Sequence, residues 1–426
     1  MRRLGAERAY TRVSHLRCAE CFPTSLAVCT YHPKRNWNWG TPRVTDRQAQ
    51  PDQGLISGYV LKLTRESVGL TQESLAEKLE VDKHTIQAWE SGRRPLGATR
   101  VRGFVDLRNR LRALGAAASL VDSLSAAMEA DYVLGHMLRT DAGAIDPCSH
   151  PLAGWVLPRA VSELIAWAMT GQAPPALAEL MKARRRGPVA TGPTVSASQR
   201  AAFFEHIRLA AEEALSAQPA QPRRLLLRRQ AYYQAGWATQ AEMKNWLEAM
   251  QRQEQLLSPR EESGWSPQWV TERSLAVALS RFGDREALWR YLRTGFCSDQ
   301  CEVANLHYWA YWIGESAGTH HEDAFMARDP GPWTGVMVAR RLADSLVPGN
   351  SCVDLYVHTL WALLKRPIGP YLVETDRTFC ASVIKGSERL LDDDVLMPEA
   401  RQELQELLGY IGWVQPGLRG GDVGGR

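Results

Sequence analysis

Apolar residues recur with helical spacing between tight turns over residues 57–95, and this pattern predicts three short helices. A first helix begins at Ser57 or Gly58 and carries Arg65 on its inner face. Gly69 suits its end, because glycine adopts a positive φ without strain. This pattern predicts a compact helical unit and leaves no room for a strand.

Polar caps mark the second and third helices of this unit. Thr71 is a good N-cap for the second helix, because its side-chain oxygen can accept a hydrogen bond from an unpaired backbone amide. Residues 80–81 form a tight turn, and Asp82 then caps the third helix. Ile86 and Trp89 lie three residues apart and face inward.

The outer face of the third helix is polar and is followed by two arginines. Its members lie at i, i+1, i+4 and i+5: Lys83, His84, Gln87 and Ala88. Lysine can donate to guanine O6 and N7, and an alanine methyl can contact a thymine methyl. Residues 54–112 carry eleven Lys+Arg against seven Asp+Glu, whereas the chain beyond them is mildly acidic. This asymmetry is typical of a polyanion-binding module joined to a larger domain.

The text GLTQESLAEKLEVDKHTIQAWESGRRP, residues 69–95, resembles the helix-turn-helix of the Cro/C1 type, also called the xenobiotic-response-element family. The resemblance covers about 55 of the 426 residues. It departs from the commonest family pattern at Trp89, where smaller aliphatic residues are frequent.

The resemblance assigns roles to the matched positions. It implies base contacts by Lys83, His84, Gln87 and Ala88. It implies phosphate contacts by Thr71, Gln72, Thr85, Arg93 and Arg94. It also implies a structural ion pair between Arg65 and Glu90. The expected partner is double-stranded DNA, bound by a homodimer with each recognition helix in a major groove, and the expected function is that of a bacterial, sequence-specific transcriptional regulator.

Residues 1–53 form a basic leader without helical or strand period, and we expect it to be disordered. Cys18, Cys21, Cys29 and His32 could hold zinc, but their separation is short for a ribbon or finger, so we predict no metal site. The leader can equally be non-native sequence upstream of a start near Val44.

Beyond residue 112 the chain consists of helical stretches joined by Pro/Gly breaks. We predict a helical connector over 113–183, a linker over 184–195, a regulatory and dimerisation body over 196–416 and a disordered tail over 417–426. The predicted body helices are Ser196–Ser216, Pro222–Ala235, Thr239–Leu257, Pro267–Phe282, Asp284–Thr294, Asp299–Glu315, Trp333–Leu346, Ser351–Lys365, Asp376–Leu391 and Pro398–Trp413. The fold class is therefore all-α: a lambda-repressor-like helix-turn-helix domain, then a helical-hairpin domain that weakly resembles tetratricopeptide pairs without a fixed period.

The body offers few groups of catalytic character. Residues 308–312 are rich in Tyr and Trp, which favours a core over a ligand contact. Residues 320–323 are better explained as a polar loop than as a metal site, and Cys297 and Cys301 would share one helical face as buried thiols. No phosphate-binding glycine loop, nucleophile elbow or zinc-protease motif occurs. We therefore expect no enzyme activity and no cofactor.

No apolar run is long enough for a membrane span, and eight cysteines are too few for a disulfide scaffold, so we expect a cytoplasmic, nucleoid-associated protein. The helical body is predicted to dimerise and to sense a small molecule or peptide. The alternative is an interaction protein whose body binds another protein, as an antitoxin or signalling partner does.

Overall fold

The computed structural model describes residues 54–140, 145–175, 177–178, 181, 192–216, 221–257, 264–328, 333–393 and 395–418. Over these residues the fold is all-helical, with seventeen α-helices and no strand. The predicted leader and its four zinc-ligand candidates lie outside the described residues, as does the tail after residue 418.

The N-terminal helices have the predicted order and short turns. They are α1 (Leu55–Ser67), α2 (Gln72–Leu79), α3 (Lys83–Glu90), α4 (Val101–Ala113), α5 (Ala118–Arg139) and α6 (Arg159–Thr170). Single 3₁₀ turns at Leu96–Ala98 and Pro151–Ala153 precede α4 and α6. The first helix begins two residues before the predicted Ser57, because its first turn is stabilised from elsewhere in the fold.

Eleven further helices form the body. They are α7 (Ala197–Ser216), α8 (Pro222–Ala235), α9 (Ala241–Leu257), α10 (Pro267–Arg281), α11 (Arg285–Gly295), α12 (Asp299–Trp312), α13 (Val336–Asp344), α14 (Val353–Leu364), α15 (Ile368–Thr375), α16 (Arg377–Asp392) and α17 (Pro398–Val414). Two more 3₁₀ turns lie at Asp323–Ala327 and Pro416–Leu418. Helix α15 was not predicted; the other spans agree within a few residues.

Two hydrophobic clusters hold these helices together. The first runs from the helix-turn-helix through α5, α6, α7, α8 and α9, and the second joins α11 to α17. Helix α10 contributes Leu275 and Leu279 to the first cluster and Trp269 and Val277 to the second. It is buried on nearly all faces, and its buried residues include polar side chains such as Arg273 and Ser274.

Contacts of the described residues cross the boundary predicted between residues 112 and 113. Helix α1 packs along α5, and Tyr59 of α1 meets Trp167 of α6 edge to face, with ring centroids 5.2 Å apart. The end of the predicted linker is also packed, because the Val195 amide donates to the Ala168 carbonyl at 3.1 Å. The helix-turn-helix therefore shares a core with the following helices.

Among the described helices, none combines the length and apolar character that crossing a bilayer requires.

Candidate DNA-binding surface

The second and third helices begin at the caps that the sequence predicts. Thr71 Oγ1 accepts from the Ser74 amide at 3.0 Å, and Asp82 Oδ1 accepts from the His84 amide at 2.9 Å. The turn between the helices places Glu80 at φ 57°, in the left-handed region that favours glycine. These caps fix the start of α3 and hence the direction of its first side chains.

A buried ionic network joins the three helices. Arg65 binds Glu90 through Nε and Nη2, at 2.6 and 3.1 Å, and its Nη1 donates to the Leu70 carbonyl at 2.7 Å. Gln72 Nε2 donates to the second Glu90 oxygen at 2.7 Å. Arg65 and Glu90 therefore form the predicted ion pair. Removing one partner of such a buried pair typically costs about 3–5 kcal/mol.

Gln72, expected to contact phosphate, belongs to this network in the structure. Its Nε2 carries two hydrogens, and Glu90 takes one of them. The other hydrogen can still donate to a phosphate oxygen at the N-terminus of α2. The sequence did not indicate this additional structural contact.

Two of the four expected base-contacting side chains are exposed, and two are half-buried. Lys83 and His84 are exposed at the start of α3, whereas Gln87 and Ala88 are half-buried one turn later. His84 Nδ1 lies 3.2 Å from Gln87 Oε1, and Lys83 Nζ lies 3.3 Å from a carboxylate oxygen of Glu73 in α2. The structure thus places the four expected base-contacting residues on one helix, and three of them, Lys83, His84 and Gln87, make polar contacts with other side chains.

The expected phosphate-contacting residues lie on more than one side of α3. Arg93 is exposed just beyond α3, and its Nε donates to Ser91 Oγ at 3.1 Å. Thr85 and Arg94 instead line a concavity of about 420 Å³ between α3 and α4, together with Trp89. Thr71 lies at the start of α2, with its hydroxyl 3.0 Å from that of Ser74.

Helix α4 braces the turn before α3. Arg110 Nη1 donates to the Lys78 carbonyl at 2.8 Å and lies 3.1 Å from Glu80 Oε1. Both partners belong to the end of α2, so α4 fixes the turn that directs α3. The ion pair itself is exposed, and pairs of this kind contribute about 0–1 kcal/mol.

The first turn of α1 is capped by a side chain 75 residues away. Asp131 of α5 accepts from the Ile56 amide at 2.8 Å and from the Ser57 amide at 2.9 Å, one with each carboxylate oxygen. Burial raises the pKa of Asp131 to about 7, although hydrogen bonds from Ser57 and Ile56 lower it. The signal in the sequence is an acidic residue on the apolar face of α5, between Ala127 and Gly135.

The remaining chemical candidates have structural places in the body. Tyr308, Trp309, Tyr311 and Trp312 are buried, as predicted. Asp323 pairs with buried Arg229, at 2.5 Å from Nη2, and therefore has a structural partner in the body.

The two cysteines do not share a helix face, and that prediction is wrong. Cys301 is buried in α12, whereas Cys297 is exposed and precedes the helix. The helix begins at Asp299 because Ser298 caps it, so Cys297 lies outside the helix that contains Cys301.

The comparison with family models agrees with this geometry. Residues 58–124 match the model described as a helix-turn-helix domain, which spans α1 to the first part of α5. No curated protein and no solved structure matches the chain. The chain therefore contains a helix-turn-helix DNA-binding domain, followed by a helical body.

Proposed function

We propose that this protein is a sequence-specific transcriptional regulator that binds double-stranded DNA through a Cro/C1-type helix-turn-helix. The observation that carries the proposal is the Arg65–Glu90–Gln72 network. It fixes the relative position of α1, α2 and α3 while leaving Lys83 and His84 exposed at the start of α3. A rigid frame with polar side chains at the recognition-helix N-terminus is what major-groove docking requires.

The chemistry of the exposed residues supports this proposal. Lys83 donates to guanine, and Gln87 can pair with an adenine edge. Arg93 follows α3 directly and is placed to contact a backbone phosphate, which positions the protein without distinguishing sequences. Thr85 and Arg94 line the concavity on another side of α3, so we assign them a smaller share of the phosphate contacts than Arg93.

The decisive experiment maps the genomic DNA fragments that bind the purified full chain, followed by affinity measurements on an enriched site. Lys83→Ala should cost about 1–3 kcal/mol at one base pair and relax the sequence preference there. Arg93→Ala should weaken binding to all sequences and lower the slope of the salt dependence by about one. Lys385→Ala, which removes an exposed positive charge from the body, is the matched control.

The proposal fails if the wild-type chain enriches no fragments. It also fails if Lys83→Ala and Lys385→Ala bind every fragment alike. Loss of binding through misfolding is recognised separately, because circular dichroism and thermal unfolding would change as well.

We infer further that the regulator binds as a homodimer in the cytoplasm, associated with the nucleoid. Two exposed valines one turn apart on α4, Val101 and Val105, offer an apolar contact beside the helix-turn-helix. Two-fold pairing would place the recognition helices about 34 Å apart in successive major grooves. Light scattering of wild type and a Val101→Glu/Val105→Glu variant tests the pairing, and identical masses for the two would contradict this surface.

A sensing role for the body has one physical candidate. A concavity of about 440 Å³ is lined by Arg159, Arg341, Glu163, Met337 and Trp312. Glu163 lies 2.5 Å from Arg159 and 3.8 Å from Arg341, so this mixture of paired charges and apolar groups suits a small polar ligand. A thermal-shift screen of small polar molecules and peptides, repeated with Arg341→Ala, tests this role. Stabilisation by the same compounds in both proteins would locate sensing elsewhere.

An interaction protein remains the second candidate, favoured by exposed aromatic residues on the body. Trp413 is 80% exposed and Tyr371 is 59% exposed. Large exposed aromatics are enriched in protein interfaces. Native mass spectrometry of the chain purified from its own cells, with a Trp413→Ala variant for comparison, would detect a stoichiometric partner whose binding depends on this face.

A further inference from the structure

Three histidines from separate segments meet between α5, the Pro151–Ala153 turn and α7. They are His136 on α5, His150 just before the turn, and His206 on α7, and one ring nitrogen of each lies within 4.8 Å of the others. The two closest atoms are His150 Nε2 and His206 Nε2, 3.1 Å apart. No other group of three such ligand residues occurs among the described residues.

Burial differs across the cluster in a way that suits a site with an entrance. His150 and His206 are 2% and 3% exposed, whereas His136 is half-buried and reaches the surface. Ring centroids are separated by 4.9 Å for His136 and His150, and by 5.8 Å for His136 and His206. An ion could therefore enter past His136.

The rings have the protonation state of metal ligands. Burial lowers the pKa of His150 to about 2 and that of His206 to about 4, and it also lowers the pKa of His136. All three are therefore neutral near pH 7, and neutral imidazole is the ligating form. Without an ion, the Leu152 amide donates to His150 Nδ1 at 3.1 Å, so His150 Nε2 carries the proton shared with His206.

We propose that His136, His150 and His206 bind one divalent transition-metal ion, Zn²⁺ by preference, and leave a fourth position open to water or a ligand. Three imidazole nitrogens suit zinc and its neighbours, whereas calcium and magnesium require oxygen ligands. With metal–nitrogen bonds of about 2.1 Å, a tetrahedral ion places two ligand nitrogens about 3.4 Å apart. Half-buried His136 is the ring with freedom to close in.

Two local hydrogen bonds oppose metal binding. A neutral His150 that ligates through Nε2 must carry its ring proton on Nδ1, so the Leu152 amide loses its acceptor. The hydrogen bond between His150 Nε2 and His206 Nε2 is lost as well, so two hydrogen bonds are set against three new metal–nitrogen bonds. His206 Nδ1 is buried without a hydrogen-bond partner among the described residues, so ligation through Nε2 breaks no contact at that atom.

The test uses the full chain stripped with a chelator and titrated with Co²⁺, whose visible absorption reports tetrahedral coordination. We expect one equivalent to bind and to be displaced by Zn²⁺. His136→Ala removes the half-buried ligand. His206→Gln removes a buried ligand and keeps a polar side chain in its place. Each should weaken binding by more than the roughly 10–100-fold that loss of an outer-shell partner costs. His321→Ala removes an exposed histidine outside the cluster and is the matched control.

A Cys18→Ser/Cys21→Ser variant separates this site from the cysteines of residues 1–53. It should bind Co²⁺ like wild type, without a thiolate charge-transfer band in either protein. Equal Co²⁺ affinity of His136→Ala, His206→Gln and wild type would overturn the proposal, and so would an absence of binding to the wild-type chain. The readout needs no DNA, so the outcome is independent of the proposed regulator function.

Discussion

The strongest structural prediction concerns Asp131, whose carboxylate caps α1 from α5. Replacing it with alanine leaves the Ile56 and Ser57 amides without their acceptor. Gly54, the residue before α1, supplies no side-chain cap that could replace it. We therefore expect Asp131→Ala to loosen the first turn of α1, although the substitution lies on another helix.

The free energy lost in Asp131→Ala is the difference between two opposing effects. A hydrogen bond to a charged group contributes about 1.5–3 kcal/mol, and an anion at a helix N-terminus adds about 0.3–1 kcal/mol. Burial of the carboxylate opposes this gain, as the raised pKa of Asp131 indicates. Ile56 and Ser57 are buried, so their amides lose the acceptor without direct access to solvent. We expect a net loss of about 2 kcal/mol for Asp131→Ala, or roughly 30-fold in the opening equilibrium. Asp131→Asn should lose about half as much, because its amide oxygen can still accept one bond.

Hydrogen exchange resolved by residue within α1 measures this loss directly, because the Ile56 and Ser57 amides are the ones that Asp131 binds. A buffer near pH 8, above the raised pKa of about 7, keeps the carboxylate ionised in the wild type. Asp122→Ala on the same helix is the control, since Asp122 is exposed and pairs with Arg108 and Arg112 instead of capping α1. Equal protection of α1 in the Asp131→Ala and Asp122→Ala proteins would refute the capping argument.

Two further predictions concern other charged contacts. Glu73→Gln should raise DNA affinity up to about fivefold, because it frees Lys83 from an exposed pair worth about 0–1 kcal/mol and removes a negative charge near the DNA. Fluorescence anisotropy on an enriched site measures this affinity, and weaker binding by the variant would contradict the prediction. Burial alone would lower the pKa of His358, but Glu302 and Glu403 raise it to about 9 from 6.5. Protonated His358 therefore stabilises the folded state in full below pH 6.5, and this contribution is lost as the pH rises through about 9. The free energy of unfolding in urea should differ most between wild type and Glu403→Gln at the acidic end of this range. A difference independent of pH would show that His358 is not charged.

Local signals in the sequence predicted the helix-turn-helix closely. Thr71 and Asp82 each directly precede the helix that they cap, and each accepts a hydrogen bond from an amide two or three residues further along the chain. Such bonds can be predicted from neighbouring residues alone. The Arg65–Glu90 pair was available only through the family resemblance, because its partners are 25 residues apart. Asp131 and the three histidines depend on how α5 packs against α1 and α7, which no local pattern contains.

One missed helix has a local explanation. Residues 367–370 read Pro-Ile-Gly-Pro, which is typical of a break between helices. In the structure Pro367 precedes α15 and Pro370 lies in its first turn, where the missing amide hydrogen costs nothing. The prolines permit a helix here because of where they lie relative to its first residue, and composition alone does not reveal that position.

The packing of α1 on α5 also limits how a signal from the body could reach DNA. A helix-turn-helix on a flexible linker could change orientation freely, but here Ile56 and Tyr59 belong to the same core as Trp167 and α7. Reorienting the domain as a rigid body would break that core and the Asp131 cap together. We therefore expect control of DNA binding to act through small shifts of α5, or through the pairing of two chains, and not through release of the domain.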